Sequence, residues 1–138
     1  MTEHLQLIDS SVWIRLFRRP PHAELASRVD EILRQGRAAT NGVIRLEIVS
    51  GARNEREFDD YSETLHALIQ LAIGDQTWTQ AARLGYQMRR LGITASTPDL
   101  IISASAMEHR AVLIHADADF DRIAAKADIR VESFTNAS

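Results

Sequence analysis

Four acidic residues sit where apolar segments of this 138-residue chain begin, end or are interrupted. Asp9 follows Leu5-Gln6-Leu7-Ile8, and Glu47 lies inside Ile44-Arg45-Leu46-Glu47-Ile48-Val49. Asp99 falls in Thr97-Pro98-Asp99-Leu100-Ile101-Ile102, and Asp117 closes Val112-Leu113-Ile114-His115-Ala116 just before Asp119-Phe120. Withdrawing a carboxylate from water costs several kcal/mol unless a partner neutralises it. One divalent cation held by carboxylates would explain all four placements, and that points to metal-dependent phosphodiester chemistry.

The segments around these acids set the fold class. Residues 5–8 read as a short buried strand, and Ser10 or Ser11 can cap a helix over 12–18 that Pro20-Pro21 stops. A second helix is expected over 21–35, with Ala23, Ala26, Val29, Ile32 and Leu33 at helical spacing and Gly36 at its end. A strand at 37–40 leads to Asn41 as cap of a helix over 42–51. The spacing of Phe58, Tyr61, Leu65, Leu68 and Ile69 predicts a polar helix from about 54 to 71, with a strand near Ala72-Ile73. Trp78, Ala81, Leu84, Met88 and Leu91 predict a helix over 76–91, closed by Gly92. Pro98 at a first helical turn starts another helix. Residues 111–115 are the clearest strand; a helix over 119–126 and a strand over 129–134 complete the chain. Strands alternating with helices imply one α/β domain in three layers, a mostly parallel sheet with helices on both faces. It is expected to span residues 1–134, with 135–138 a loose tail.

Composition excludes several classes. The chain has no cysteine, so disulfides and Cys-ligated metals are ruled out. No apolar run is long enough to span a membrane and no secretory leader pattern opens the chain, so a cytoplasmic protein without membrane contact is expected. Net charge is −3, but +1 remains once the four carboxylates are set aside. All the basic residues but Lys126 are arginine, whose planar fork suits phosphate; a GC-rich genome gives the same bias.

Ligands of open parallel sheets collect beyond the carboxyl ends of the strands, where Asp9 and Asp117 are expected. Asp99 at a helix start and Glu47 on a core-facing turn can reach the same place. Oxygen-only donors favour Mg²⁺ or Mn²⁺. Each acid also has a structural reading: Asp9, Asp117 and Asp119 as helix caps, and Asp99 as a partner of the helix dipole. Glu47, crowded by Val43, Ile44, Leu46, Ile48 and Val49, has the weakest one.

These residues resemble a known family, the PIN-domain ribonucleases, and within it the VapC toxins of toxin–antitoxin systems. The resemblance covers nearly the whole chain. It rests on the apolar strand ending in Asp9-Ser10-Ser11, on Leu46-Glu47-Ile48-Val49-Ser50-Gly51, on Thr97-Pro98-Asp99-Leu100-Ile101-Ile102-Ser103-Ala104, and on the run from Leu113 to Ala124 containing Asp117-Ala118-Asp119-Phe120. It implies a Mg²⁺- or Mn²⁺-dependent endoribonuclease with its acidic quartet at Asp9, Glu47, Asp99 and Asp117, and Asp119 as an acidic neighbour. Ser10 stands where the family often has Thr. His115 stands where Thr or Ser is common, and reads as a substrate contact or simply as a strand-end histidine. The resemblance also implies a small cognate antitoxin over the active site, homodimers, and toxin–antitoxin hetero-oligomers. On this chain Trp13 is the candidate antitoxin-facing residue, and Arg15, Arg18, Arg19, Arg45 and Arg53 are candidates for RNA phosphates.

Competing readings fit less well. A phosphoacceptor receiver wants paired acids after its first strand, where Asp9 is followed by serines. A dehalogenase-type phosphatase wants Asp-x-Asp-x-Thr early, whereas Asp117-x-Asp119 is late. A scaffold of the same fold that binds RNA or antitoxin without cleavage remains the alternative.

Overall fold

All five strands run the same way. The computed structural model describes residues 4–18, with Arg18 in backbone only, and 22–135; the Pro20-Pro21 stop and the end of the expected tail lie outside them. Strands β1 (Gln6–Ile8), β2 (Ala38–Thr40), β3 (Ile69–Gln70), β4 (Val112–His115) and β5 (Val131–Ser133) form one sheet in the order β3-β2-β1-β4-β5. Every pairing is parallel. Helices α1 (Ser10–Arg18), α2 (Ala23–Arg34), α3 (Gly42–Val49) and α4 (Glu55–His66) connect the strands that step outward from β1 to β3. Helices α5 (Asp75–Arg90), α6 (Thr97–Glu108) and α7 (Ala118–Ala124) serve the return to β4 and β5. Right-handed crossovers in opposite directions put these two groups on opposite faces. Leu7, Ile8, Leu113 and Ile114, neighbours that point to alternate faces, are all fully buried, so both faces are covered.

This order makes the β1–β4 gap the place where the chain reverses direction, which is where such sheets open a crevice at their carboxyl ends. The register Leu7↔Leu113 and Ile8↔Ile114 brings the two strands to the same level. The residues that follow them, Asp9 and then Ala116-Asp117, therefore leave the sheet side by side.

Several expectations are corrected. The polar helix ends at His66, and the strand after it is Ile69–Gln70 rather than 72–73. Leu65, Leu68 and Ile69 keep helical spacing across that boundary, so periodicity hides a two-residue edge strand, pinned where Leu71 donates to Thr40 O at 2.8 Å. Leu33, Phe58, Trp78 and Leu91 are exposed, while Leu25 and Thr77 point inward. Thr77 is satisfied there by Gly74 N–H at 3.1 Å and by its bond to Glu108 Oε1. Thr135 is tied down, its hydroxyl 2.8 Å from Asp121 Oδ2.

Trp13 faces the core, not a partner. It is only 3% exposed, and its ring stacks on Phe17 at 5.6 Å. Phe17 in turn stacks on Tyr61 of α4 at 4.4 Å. The aromatic residues of α1 are thus packed inward, one of them on α4, and Ile14 is the large apolar residue that α1 leaves exposed.

Candidate metal centre

Asp9 is the first residue beyond β1, and its N–H still bonds Ile114 O at 2.9 Å. It is buried, and its Oδ2 accepts from the Ser11 N–H at 3.0 Å and the Ser11 hydroxyl at 2.5 Å. Burial pushes its pKa up, opposed mainly by those Ser11 bonds. Ser11 Oγ also accepts the Ala116 N–H at 3.0 Å, so one hydroxyl joins the ends of β1 and β4.

Glu47 is carried in by α3, whose first turn is fixed by Asn41 Oδ1 accepting from Ile44 N at 3.0 Å. Its Oε1 accepts the Ser10 hydroxyl at 3.0 Å. Burial raises its pKa, the Ser10 bond lowers it, and the charges of Asp9 and Asp117 raise it. Asp99 is the third residue of α6, its N–H bound to the Ser96 hydroxyl at 3.2 Å in an N-cap. Burial first, then the charges of Asp117, Asp9 and Glu47, push its pKa up to about 6. The four acids are therefore close enough to feel one another.

Asp117 caps α7 and accepts the Asp119 N–H at 2.9 Å. Asp99, Asp117 and Asp119 each place one carboxylate oxygen within 4.8 Å of the other two. Asp119, expected as a neighbour of the quartet, is thus part of its tightest grouping, and it is ion-paired with Arg122. The oxygen-only donor set, with a carboxyl raised by burial and then by neighbouring charges, fits Mg²⁺ or Mn²⁺: a cation there would offset both.

His115 is completely buried, so it does not reach a substrate and is a strand-end residue. Its ring leans on Phe120 at 5.3 Å, and burial lowers its pKa. Nδ1 accepts the Asp117 N–H at 3.2 Å, and Nε2 lies 3.2 Å from Asp121 Oδ1 without a directed hydrogen bond. Ser11, expected as a helix cap, instead braces the site, and Ser96 and Asp121 are added to it. Ser96 carried a signal, the cap spacing to Asp99; Asp121 carried none.

Among the arginines, Arg15 Nη2 lies 3.5 Å from Ala116 O, beside Asp117. Arg45 lines a groove between α3 and α4. Arg53 is spent on Glu57, at 2.6 Å, and holds that carboxyl down at about 2. The side chain of Arg18 and all of Arg19 lie outside the described residues.

The PIN domain family model matches residues 7–126. Ribonuclease VapC11 of Mycobacterium tuberculosis is 34% identical over 132 residues, covering 93% of this chain and 98% of that protein. The chain belongs to the PIN-domain family of VapC ribonucleases. Solved structures agree on the fold. VapBC2 of Rickettsia felis, bound to a DNA fragment from its promoter, matches with TM-score 0.79 and 14% identity over 94% of this chain and 98% of that one. VapBC-5 of Mycobacterium tuberculosis, of the VapBC family of toxin–antitoxin systems, matches with TM-score 0.63 and 25% identity over 94% and 96%.

Proposed function

We propose that this chain is a divalent-cation-dependent endoribonuclease and the toxin of a toxin–antitoxin pair. The observation that carries the reading is the meeting of Asp99, Asp117 and Asp119 within 4.8 Å at the carboxyl edge of the sheet, in a member of this family. These three would hold Mg²⁺ or Mn²⁺, with Asp9 and Glu47 completing the negative field around the ion. Bound there, the ion supplies Lewis-acid activation of a phosphodiester and of an attacking water. Ser10 engages Glu47 Oε1, which leaves Oε2 as the atom that can take a proton, and the raised pKa of Glu47 suits that role. Arg15, beside Ala116, is the arginine proposed to meet an RNA phosphate.

The antitoxin is assigned to the groove between α3 and α4, lined by Arg45, Leu46, Val49 and Phe58. Leu46 is 67% exposed and Phe58 47%, and Leu46 adjoins Glu47, so an occupant would extend over the site. Among the described residues no helix is long and apolar enough to cross a membrane; a cytoplasmic, homodimeric toxin is the reading proposed.

The test is RNA cleavage by purified protein with Mg²⁺ or Mn²⁺ and with EDTA. Asp99→Asn and Asp117→Asn should abolish metal-dependent cleavage while remaining folded by circular dichroism. A variant that cuts at the wild-type rate refutes the site. Wild type that never cuts, across structured RNAs, favours the non-cleaving scaffold.

A further inference from the structure

We infer that His115 is a positioning residue whose ring holds the Asp117 backbone, and so aims its carboxylate, with Asp121 in contact with the ring's other nitrogen from the β5 edge. The inference rests on the metal-site reading above and adds a residue to it. Three carboxylates within 4.8 Å repel one another before any cation arrives, so their spacing has to be imposed by other bonds. The Asp117 carboxylate itself accepts the Asp119 N–H at 2.9 Å, and its backbone receives two further restraints. From the β1 side, Ser11 Oγ holds the N–H of the preceding residue, Ala116, at 3.0 Å. From the β5 side, His115 Nδ1 accepts the N–H of Asp117 itself at 3.2 Å.

The second restraint is as firm as the ring that provides it. His115 is fully buried and packed against Phe120. Because Nδ1 accepts, the ring proton sits on Nε2, which faces Asp121 Oδ1 at 3.2 Å. The other oxygen of Asp121 accepts the hydroxyls of Ser133 at 3.0 Å and Thr135 at 2.8 Å. A chain of contacts therefore runs from β5 through Asp121 and His115 to the Asp117 backbone. A hydroxyl at position 115 could accept the same N–H but is too short to reach Asp121. Residues that orient metal ligands from behind typically change metal affinity or activity about 10–100-fold when removed.

The experiment compares His115→Leu, which fills the space without an acceptor, with His115→Asn, whose Oδ1 falls near the place of Nδ1. Amide hydrogen exchange is read in the metal-free protein, and Mn²⁺ affinity by titration, neither of which requires RNA cleavage. In His115→Leu the Asp117 amide should exchange about fivefold to tenfold faster, with the β4 amides unchanged. Mn²⁺ affinity should fall about 10–100-fold. Where cleavage is measurable, kcat should fall with little change in KM. His115→Asn should recover most of each effect. Unchanged exchange and affinity in His115→Leu, or no advantage of Asn over Leu, overturns the inference. If His115→Leu does not fold, Asp121→Ala replaces it, at a side chain 41% exposed. Faster Asp117 exchange and weaker Mn²⁺ binding would then support the anchor, and wild-type values for both would overturn it. A protein that binds Mn²⁺ but cuts no RNA would refute the nuclease reading and leave this one standing.

Discussion

Asp99→Asn removes one negative charge from a crowded site, and in the absence of metal it should stabilise the fold. The carboxyl of Asp99 rises from 3.8 to about 6 because burial and then the charges of Asp117, Asp9 and Glu47 disfavour ionisation. A rise of about two units corresponds to ~3 kcal/mol at most. Asp99 is partly exposed, so solvent screening reduces this to about 1–2 kcal/mol. Against it stands the loss of a favourable charge in the first turn of α6, about 0.3–1 kcal/mol. The balance tilts toward the variant, by about 0–1.7 kcal/mol, or up to a few degrees in Tm for a domain of this size. The pH dependence follows from the direction of the shift. A folded-state pKa above the unfolded one means the penalty is absent below about pH 4, grows between about 4 and 6, and is complete above. Thermal unfolding in EDTA should therefore show wild type and variant converging near pH 4 and separating toward pH 7. With Mn²⁺ at about 100 times its Kd, wild type gains about 2.7 kcal/mol by linkage and the order reverses. A variant less stable than wild type at pH 7 in EDTA, or a gap independent of pH, would mean that repulsion does not dominate the site.

Three further outcomes follow. Ser11→Ala strands the Ala116 N–H and removes the hydroxyl bond to Asp9, while the backbone bond from residue 11 remains, so stability should fall by about 1–3 kcal/mol; a denaturant midpoint within error of wild type would contradict the staple between β1 and β4. Arg53→Ala should raise the Glu57 carboxyl from about 2 part of the way toward the ordinary glutamate range, read by NMR titration, since the Arg53 guanidinium is its main stabiliser and the backbone N–H of residue 53 stays bound to it. Phe58→Glu in the groove between α3 and α4 should weaken antitoxin binding at least about tenfold while leaving RNA cleavage intact; unchanged affinity would move the antitoxin elsewhere.

The parts of the fold legible in sequence are those written locally. Asn41 and Gly36 mark element ends by their own chemistry, and β1 and β4 are apolar runs too short for helices. Edge strand β3 was not legible, because two exposed residues leave no pattern and helical spacing runs through them. Trp13 was misread for a long-range reason: its stack ends on Tyr61, and nothing near Trp13 in the chain announces α4. The site divides in the same way. Apolar flanks single out Asp9, Glu47, Asp99 and Asp117, but flanks do not measure distance. Asp119 joins Asp99 and Asp117 because Asp117 caps α7 and bonds the Asp119 N–H in its first turn.

The adjacent serines after Asp9 hold two of the four acids in place. Successive residues of a helix point about 100° apart, so Ser10 and Ser11 at the start of α1 cannot serve the same neighbour. Ser10 reaches across to Glu47 on α3, and Ser11 turns back to Asp9 and over to Ala116 at the end of β4. One dipeptide thereby joins β1, α3 and β4, and its hydroxyls lower the pKa of the two acids that burial raises. Asp99 is served less well. Its N–H is bound to Ser96, yet burial and three neighbouring charges still carry its carboxyl to about 6. Hydroxyls serve Asp9, Glu47 and Asp99 alike, but at Asp99 the Ser96 hydroxyl is outweighed by burial and three charges, and a divalent ion beside Asp117 and Asp119 would relieve that repulsion.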